Sequence, residues 1–144
     1  MVPRTLNSDR YLTITFDADH EWLYADWHGQ VDSEDVMTGA VNLLNALQKE
    51  QCTKVLNNNT KLAGIWADAA IWGAEELLPQ LYKAGCRYFA WVYSPEVYSR
   101  LSAEIIIEHT TAGIMLRTFE DLKTAGDWLD QMQPAQQVES GTEA

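Results

Sequence analysis

The feature that most constrains this chain is the run Tyr88 to Ser94, apolar or aromatic up to Tyr93. A continuous run of that length suits a strand covered on both faces, as parallel strands with helical crossovers are. Val55-Leu56 is a second, shorter apolar run. Between them, Thr53 to Pro95 reads as strand, polar turn, helix and strand, and the rest of the chain can be placed around that unit. The turn is Asn57-Asn58-Asn59-Thr60, since asparagine bonds to local backbone and tolerates left-handed geometry. The helix is expected over 66–84, with Gly85 as its stop. Pro79 lies too deep for a first-turn proline, so a kink or break is expected between Trp72 and Pro79.

Upstream, residues 1–10 are polar and are expected to fray. Tyr11 to Phe16 alternates, with Leu12, Ile14 and Phe16 on one face, which is the period of a strand. Asp17 to Glu21 is a polar turn, and Trp22 to His28 resumes with strand formers ended by Gly29, so a β-hairpin is expected. Asp32-Ser-Glu-Asp35 opens a helix over 32–50, with a cap and acids in its first turn. Val36, Ala40, Leu43, Leu44 and Leu47 recur on its inner face, where Gly39 suggests a close approach to the sheet. Ser94-Pro95 reads as a cap with proline at the first helical position of a helix over 95–109. Thr110 to Gly113 turns the chain, and Ile114 to Thr118 is a last strand. Thr118 to Asp121 resembles a capping box for a final helix over 119–131, with Leu122, Ala125, Trp128, Leu129 and Met132 as its apolar stripe.

The order β-β-α-β-α-β-α-β-α predicts an α/β fold: a single mixed β-sheet of about five strands packed with about four helices. At 144 residues the chain is sized for one domain. Its core is expected over 11–131, with flexible tails at 1–10 and 133–144, the latter polar and without means of burial. Six Trp and six Tyr make the expected core unusually aromatic.

The net charge is −11, from 10 Lys and Arg against 21 Asp and Glu. Phosphate backbones and anionic membranes are bound through Lys and Arg, so neither nucleic acid nor a membrane surface is expected as a partner. MVPRTLNSDR lacks the apolar segment of a secretory signal, and no run is long enough to span a bilayer. Cys52 and Cys86 fit neither a disulfide framework nor a four-ligand metal site, so reduced thiols in a cytoplasmic protein are expected.

Several residues carry a family likeness: Trp66, Trp72-Gly73-Ala-Glu75, Pro79, and Ala84-Gly85 before Tyr88-Phe-Ala-Trp-Val92. Ser102-Ala-Glu104, and Thr118-Phe-Glu-Asp121 followed by Ala125 and Trp128-Leu129, complete it. With these residues and its element order, the chain resembles the SpoIIAA-like family, STAS-related domains named after anti-sigma-factor antagonists, over roughly residues 11 to 131. The resemblance implies a small sheet with helices packed against it, and no settled activity. Antagonists that act as phosphorylation switches carry an Asp-Ser-Ser-Gly-like turn. Asn57 to Thr60 has no serine, which speaks against such a switch, although Thr60 offers a hydroxyl.

Candidate ligand- or partner-binding residues are Asn57, Asn58, Asn59, Thr60, Trp66, Trp72, Tyr93 and Ser94. The first four lie where a parallel strand is expected to meet its helix, the edge at which open α/β sheets take ligands. The default for them is a hydrogen-bonded turn beside core rings. Asp17, Asp19 and Glu21 have the spacing of half a calcium loop but lack its glycine and distal glutamate, so a solvated hairpin tip is expected. No metal and no cofactor is expected. Asp26 and His28 alternate on one strand face, which allows an acid–base pair, but no nucleophile accompanies them. No catalytic residue is assigned. The expected function is a non-enzymatic binding or regulatory module acting through a protein partner, a second copy of the chain included, or a small apolar or uncharged ligand. One rival is a carrier of an apolar molecule, as in the CRAL-TRIO domains to which STAS-like folds are likened. The weaker rival is an enzyme using Asp26 and His28. An enclosed pocket of some hundreds of cubic ångströms lined by Trp and Tyr favours the carrier, and a filled core with an exposed apolar patch favours partner binding.

Overall fold

A computed structural model of the chain describes residues 3–108 and 113–132. The expected tail at 133–144, the last residue of the helix expected over 95–109, and most of the turn at 110–113 lie outside them. Six strands form one sheet in chain order: β1 (Arg4–Ser8), β2 (Leu12–Asp17), β3 (Trp22–Gln30), β4 (Lys54–Ala63), β5 (Tyr88–Val92) and β6 (Met115–Phe119). The pairs β1–β2 and β2–β3 are antiparallel, and the pairs from β3 to β6 are parallel. Helix α1 (Ser33–Glu50) joins β3 to β4, and α2 (Ala67–Trp72) and α3 (Leu78–Lys83) join β4 to β5. Helix α4 (Val97–Glu108) joins β5 to β6, and α5 (Leu122–Gln131) follows β6. This is the mixed α/β architecture that the alternation of elements implies, with one strand more.

The extra strand corrects the expectation that residues 1–10 fray. β1 has no apolar period, yet it pairs with β2 from Arg4↔Phe16 to Ser8↔Thr13. An edge strand needs backbone partners more than buried side chains. Arg4 adds a bond to Glu50 at 3.0 Å and lies over the Phe16 ring.

Both faces of the sheet are covered. On one face Leu23, Ala25, Val55, Phe89 and Trp91 pack with residues of α1 to α4 such as Leu43, Leu47, Leu81 and Ile106. On the other, Trp22, Leu56, Ala90, Val92 and Phe119 pack with Ala125, Trp128 and Leu129 of α5. Successive residues of β5 go to opposite cores, which is why its run is unbroken. Gly39 marks the close approach its position suggests: a Cβ there would lie 2.6 Å from the Trp27 indole.

The helix ends show where local signals hold. Asp32 accepts from Asp35 N–H at 2.9 Å while Asp35 accepts from Asp32 N–H at 3.0 Å, a reciprocal capping box. Between α2 and α3 the chain makes a π turn, Gly73–Leu77, in which Leu78 N–H donates to Gly73 O, five residues back. This is the break expected between Trp72 and Pro79. Pro79 has no N–H to donate, so widening the turn just before it sacrifices no bond there.

Two expected caps are displaced. Asp121 caps α5 by accepting from Thr124 N–H at 2.8 Å, while Thr118 belongs to β6. Glu96, not Ser94, covers the first turn of α4, accepting from Tyr98 N–H at 3.0 Å and Ser99 N–H at 3.1 Å. Its longer side chain reaches the orphan donors that Ser94, turned inward, does not.

Candidate functional site

β4 is longer than expected, and Asn57 to Thr60 lie inside it rather than in a turn. Asp26 faces Asn58 and His28 faces Lys61, so β4 carries one extra residue between those pairs, a β-bulge. The bulge keeps the asparagines within the strand, and hydrogen bonds engage their buried amides. Trp27 Nε1–H donates to Asn57 Oδ1 at 2.8 Å, and Asn57 Nδ2–H donates to Asn59 Oδ1 at 3.2 Å. On the opposite face Asn58 Nδ2–H donates to Tyr24 Oη at 2.9 Å, and Asn58 Oδ1 accepts from Thr60 N–H at 3.0 Å. The three asparagines are at most 4% exposed, so they are core residues.

Four of the eight candidates meet at one place. Asn57, Asn59, Trp66 and Trp72 line a cavity of about 50 Å³ between the sheet and the helices. Trp27, Phe89 and Trp91 complete the aromatic wall, and Gly73 brings the π turn to it. Asn58 is turned to Tyr24, and neither it nor Thr60 lines the cavity. Trp27 and Trp91 escape a reading based on turn chemistry; their only sequence signal is a place on strands expected to be buried.

Tyr93 and Ser94 serve the frame of the sheet's C-terminal edge. Ser94, fully buried, donates to Leu62 O at 2.6 Å and accepts from Glu96 N–H at 3.0 Å, tying the end of β4 to the approach of α4. The Tyr93 ring lies under the Arg100 guanidinium, 3.9 Å away, and Arg100 also pairs with Glu120 at 2.7 Å. Gly64 N–H donates to Glu96 Oε1 at 2.9 Å. These backbone donors, Gly64 first, hold the Glu96 carboxyl below its usual pKa. Trp66 is clamped to α4 twice, its N–H to Ser102 Oγ at 3.1 Å and its indole N–H to Ser99 Oγ at 3.2 Å.

Ile65 sits between those two anchored residues and is 61% exposed. Val97, Tyr98 and Leu101 on the first turns of α4 are likewise more than half exposed. Ile65 also lines an open groove of about 460 Å³, together with Asp32, Ser33, Glu34, Ala67 and Asp68. The C-terminal edge therefore presents apolar side chains beside three carboxylates.

The remaining candidates have local roles. Asp26 Oδ2 accepts from Lys61 Nζ at 3.2 Å, and its Oδ1 is buried without a partner among the described residues. The extra residue of the bulge lies on β4, so Asp26 and His28 stay on one face of β3, and among the described residues no hydrogen bond joins them. Asp17 Oδ1 accepts from Asp19 N–H and His20 N–H, closing the hairpin tip.

Burial pushes both thiols, Cys52 and Cys86, up to about 12. The thiolate is the reactive form. Neither thiol is expected to react with a water-soluble disulfide reagent in native protein at mildly alkaline pH, and both should react in denaturant. Rapid native labelling of either would show that burial opens locally.

At the hairpin tip His20 stacks on Trp22, with centroids 4.2 Å apart, and its Nδ1 lies 2.8 Å from Asp130 Oδ1. That bond is the main cause raising the His20 pKa above 6.5. A raised folded-state pKa stabilises the fold fully below the unfolded value and loses that contribution as pH rises through the folded one. Because both side chains are over 40% exposed, the loss should stay under about 1 kcal/mol. Urea midpoints of wild type should fall slightly across this window, and Asp130→Asn should remove the fall. An equal fall in the variant would assign it to other groups.

No family model matches the chain, and neither does any curated protein. Among solved structures it is similar to an uncharacterised protein of the DUF3478 family with a SpoIIAA-like fold from Shewanella loihica PV-4. The two share 22% identity, with 86% of this chain and 98% of that chain covered, at a TM-score of 0.51. The likeness establishes a SpoIIAA-like fold for this chain. Among the described residues no helix is long and apolar enough to cross a membrane.

Proposed function

We propose that this protein is a non-enzymatic binding module that docks an apolar, basic segment of a protein partner on the C-terminal edge of its parallel strands. The observation that carries the reading is that Ile65, Val97, Tyr98 and Leu101 are all exposed on two segments tied together by the bonds of Gly64 to Glu96 and of Trp66 to Ser99 and Ser102. Apolar side chains held by such a frame lose little further freedom on binding. The neighbouring Asp32, Glu34 and Asp68 favour a cationic rim on the partner. Open α/β sheets present their binding surfaces at this same edge.

The carrier of an apolar molecule is less well supported. Its pocket should measure several hundred cubic ångströms, and the interior cavity measures about 50 Å³. For the enzyme reading, Asp26 is engaged with Lys61 and makes no hydrogen bond to His28 among the described residues. We place the protein in the cytoplasm, on the support of two buried, unpaired thiols.

A photo-crosslinking residue at Tyr98, expressed in the source cell, tests the reading. One or a few discrete adducts are expected, and Leu101→Asp should abolish them while changing stability by no more than about 0.5 kcal/mol, as at other surface sites. Absence of adducts, or adducts indifferent to Leu101→Asp, would refute it.

A further inference from the structure

We infer that Cys52 and Cys86 together form a buried two-thiol site for a soft cation satisfied by two ligands, of the Cu(I) class. The inference is independent of the partner-docking surface and starts from the sheet register. Lys54 faces Tyr88 across β4 and β5, and Thr53 O accepts from both Arg87 N–H and Tyr88 N–H. Cys52 and Cys86 each stand two residues ahead of that pair, so the two strands enter the sheet with their cysteines side by side. The backbones agree: a Cβ on Gly85 would lie 3.7 Å from Cys52 O. Cys86 Sγ lies 3.9 Å from Tyr88 O. The N–H and C=O of an extended residue share a side, so this carbonyl faces β4 and the sulfur beside it lies toward that strand. Both cysteines join the core beneath α1 to α4, at 6% and 0% exposure. Burial leads the rise of the Cys86 pKa to about 12, and Cys52 adds to it, so the two groups act on each other.

Two thiols in apolar surroundings suit neither calcium or magnesium, which take oxygen ligands, nor zinc, which takes four donors. Among the described residues no group of three or more His, Cys, Asp and Glu is placed to hold a metal. Thiolates select soft ions, and Cu(I) is stable in line between two sulfurs. Binding forms two S–Cu bonds and releases the two thiol protons, with copper remaining Cu(I). The resulting bis-thiolate unit carries one negative charge. Arg87 Nη1 is held next to it, donating to Cys86 O at 2.9 Å and to Tyr82 O at 2.8 Å. A buried charge needs such a counter-charge. Entry is from the Cys52 side, the less closed of the two. After burial, Glu50 and Glu21 are what raise the Cys52 pKa, and carboxylates near a thiol also draw in a cation. A disulfide reagent waits for a free thiolate, whereas a soft ion displaces the proton as it binds, so these thiols can resist the one and take the other.

Reduced protein titrated anaerobically with Cu(I), with bicinchoninate as coloured competitor, tests the site. One Cu(I) per chain should be withdrawn from the competitor, with thiolate-to-copper absorption appearing in the near ultraviolet. Because two protons leave, affinity should rise about a hundredfold per pH unit in the neutral range. Cys52→Ala and Cys86→Ala should each weaken binding by about a hundredfold or more and reduce that slope to about tenfold, the slope of one thiol. If either variant does not fold, the pH slope of wild type decides alone. No copper withdrawn from the competitor, a wild-type slope near tenfold, or binding unchanged by either substitution would overturn the inference.

Discussion

Trp128→Ala should destabilise the fold by about 3–5 kcal/mol, the cost of deleting a large aromatic ring from a core. Trp128 is 7% exposed and is the largest side chain that α5 brings to the second face of the sheet. It meets Tyr88 edge-on with centroids 6.4 Å apart and Phe119 at 5.7 Å, so its loss leaves a hole that two strands border. The smaller core on this face has few other residues with which to refill it. Thermal or urea unfolding reads the effect directly, and an unchanged midpoint would mean that α5 contributes little to the sheet.

Gly64→Ala should cost about 3 kcal/mol or more, for two reasons that add. The residue has φ +117°, a region that side-chain-bearing residues rarely adopt. A Cβ there would lie 2.1 Å from Val31 O, backbone of the segment that ends β3 and bonds to Ala63 O. Relief requires parting β3 from β4 at their C-terminal ends, which also pulls Gly64 N–H from Glu96. The substitution should therefore lower the unfolding midpoint and loosen the C-terminal edge, seen as faster hydrogen exchange at Gly64, Tyr98 and Ser99. A variant of wild-type stability would show that the edge shifts freely.

What could be read from the sequence divides by the range of the interaction. β5 was legible because burial on both faces leaves an unbroken run, and α1 because Asp32 and Asp35 cap it within four residues. The interruption before Pro79 followed from one missing N–H. Asn57 to Asn59 misled because their local preference is for turns, whereas Trp27, 30 residues from Asn57, supplies the bond that keeps one of them inside a strand. β1 was hidden because its stability comes from pairing with β2, and it has no apolar period. At the head of α4, Ser94-Pro95 has the look of a cap, but Leu62 claims the serine and Glu96 takes over.

Half of the candidate site was legible for a related reason. Trp66, Trp72, Asn57 and Asn59 do converge, but on an interior cavity rather than at strand ends, because β4 continues past the asparagines to Ala63. The strand end lies at Gly64-Ile65, and Ile65 becomes notable only when the head of α4, bonded to Gly64 and Trp66, is seen to expose Val97, Tyr98 and Leu101. Isolated apolar surface residues carry no signal in a sequence, since most proteins expose some.

Docking at the C-terminal edge is tested most directly by titrating the protein with a basic amphipathic helical peptide while recording amide and methyl shifts. The account predicts saturable changes centred on Ile65, Val97, Tyr98 and Leu101, extending to Asp68 and weakened by salt. Changes centred on the hairpin at 17–21 or the outer face of α1, or no saturable change at all, would contradict it.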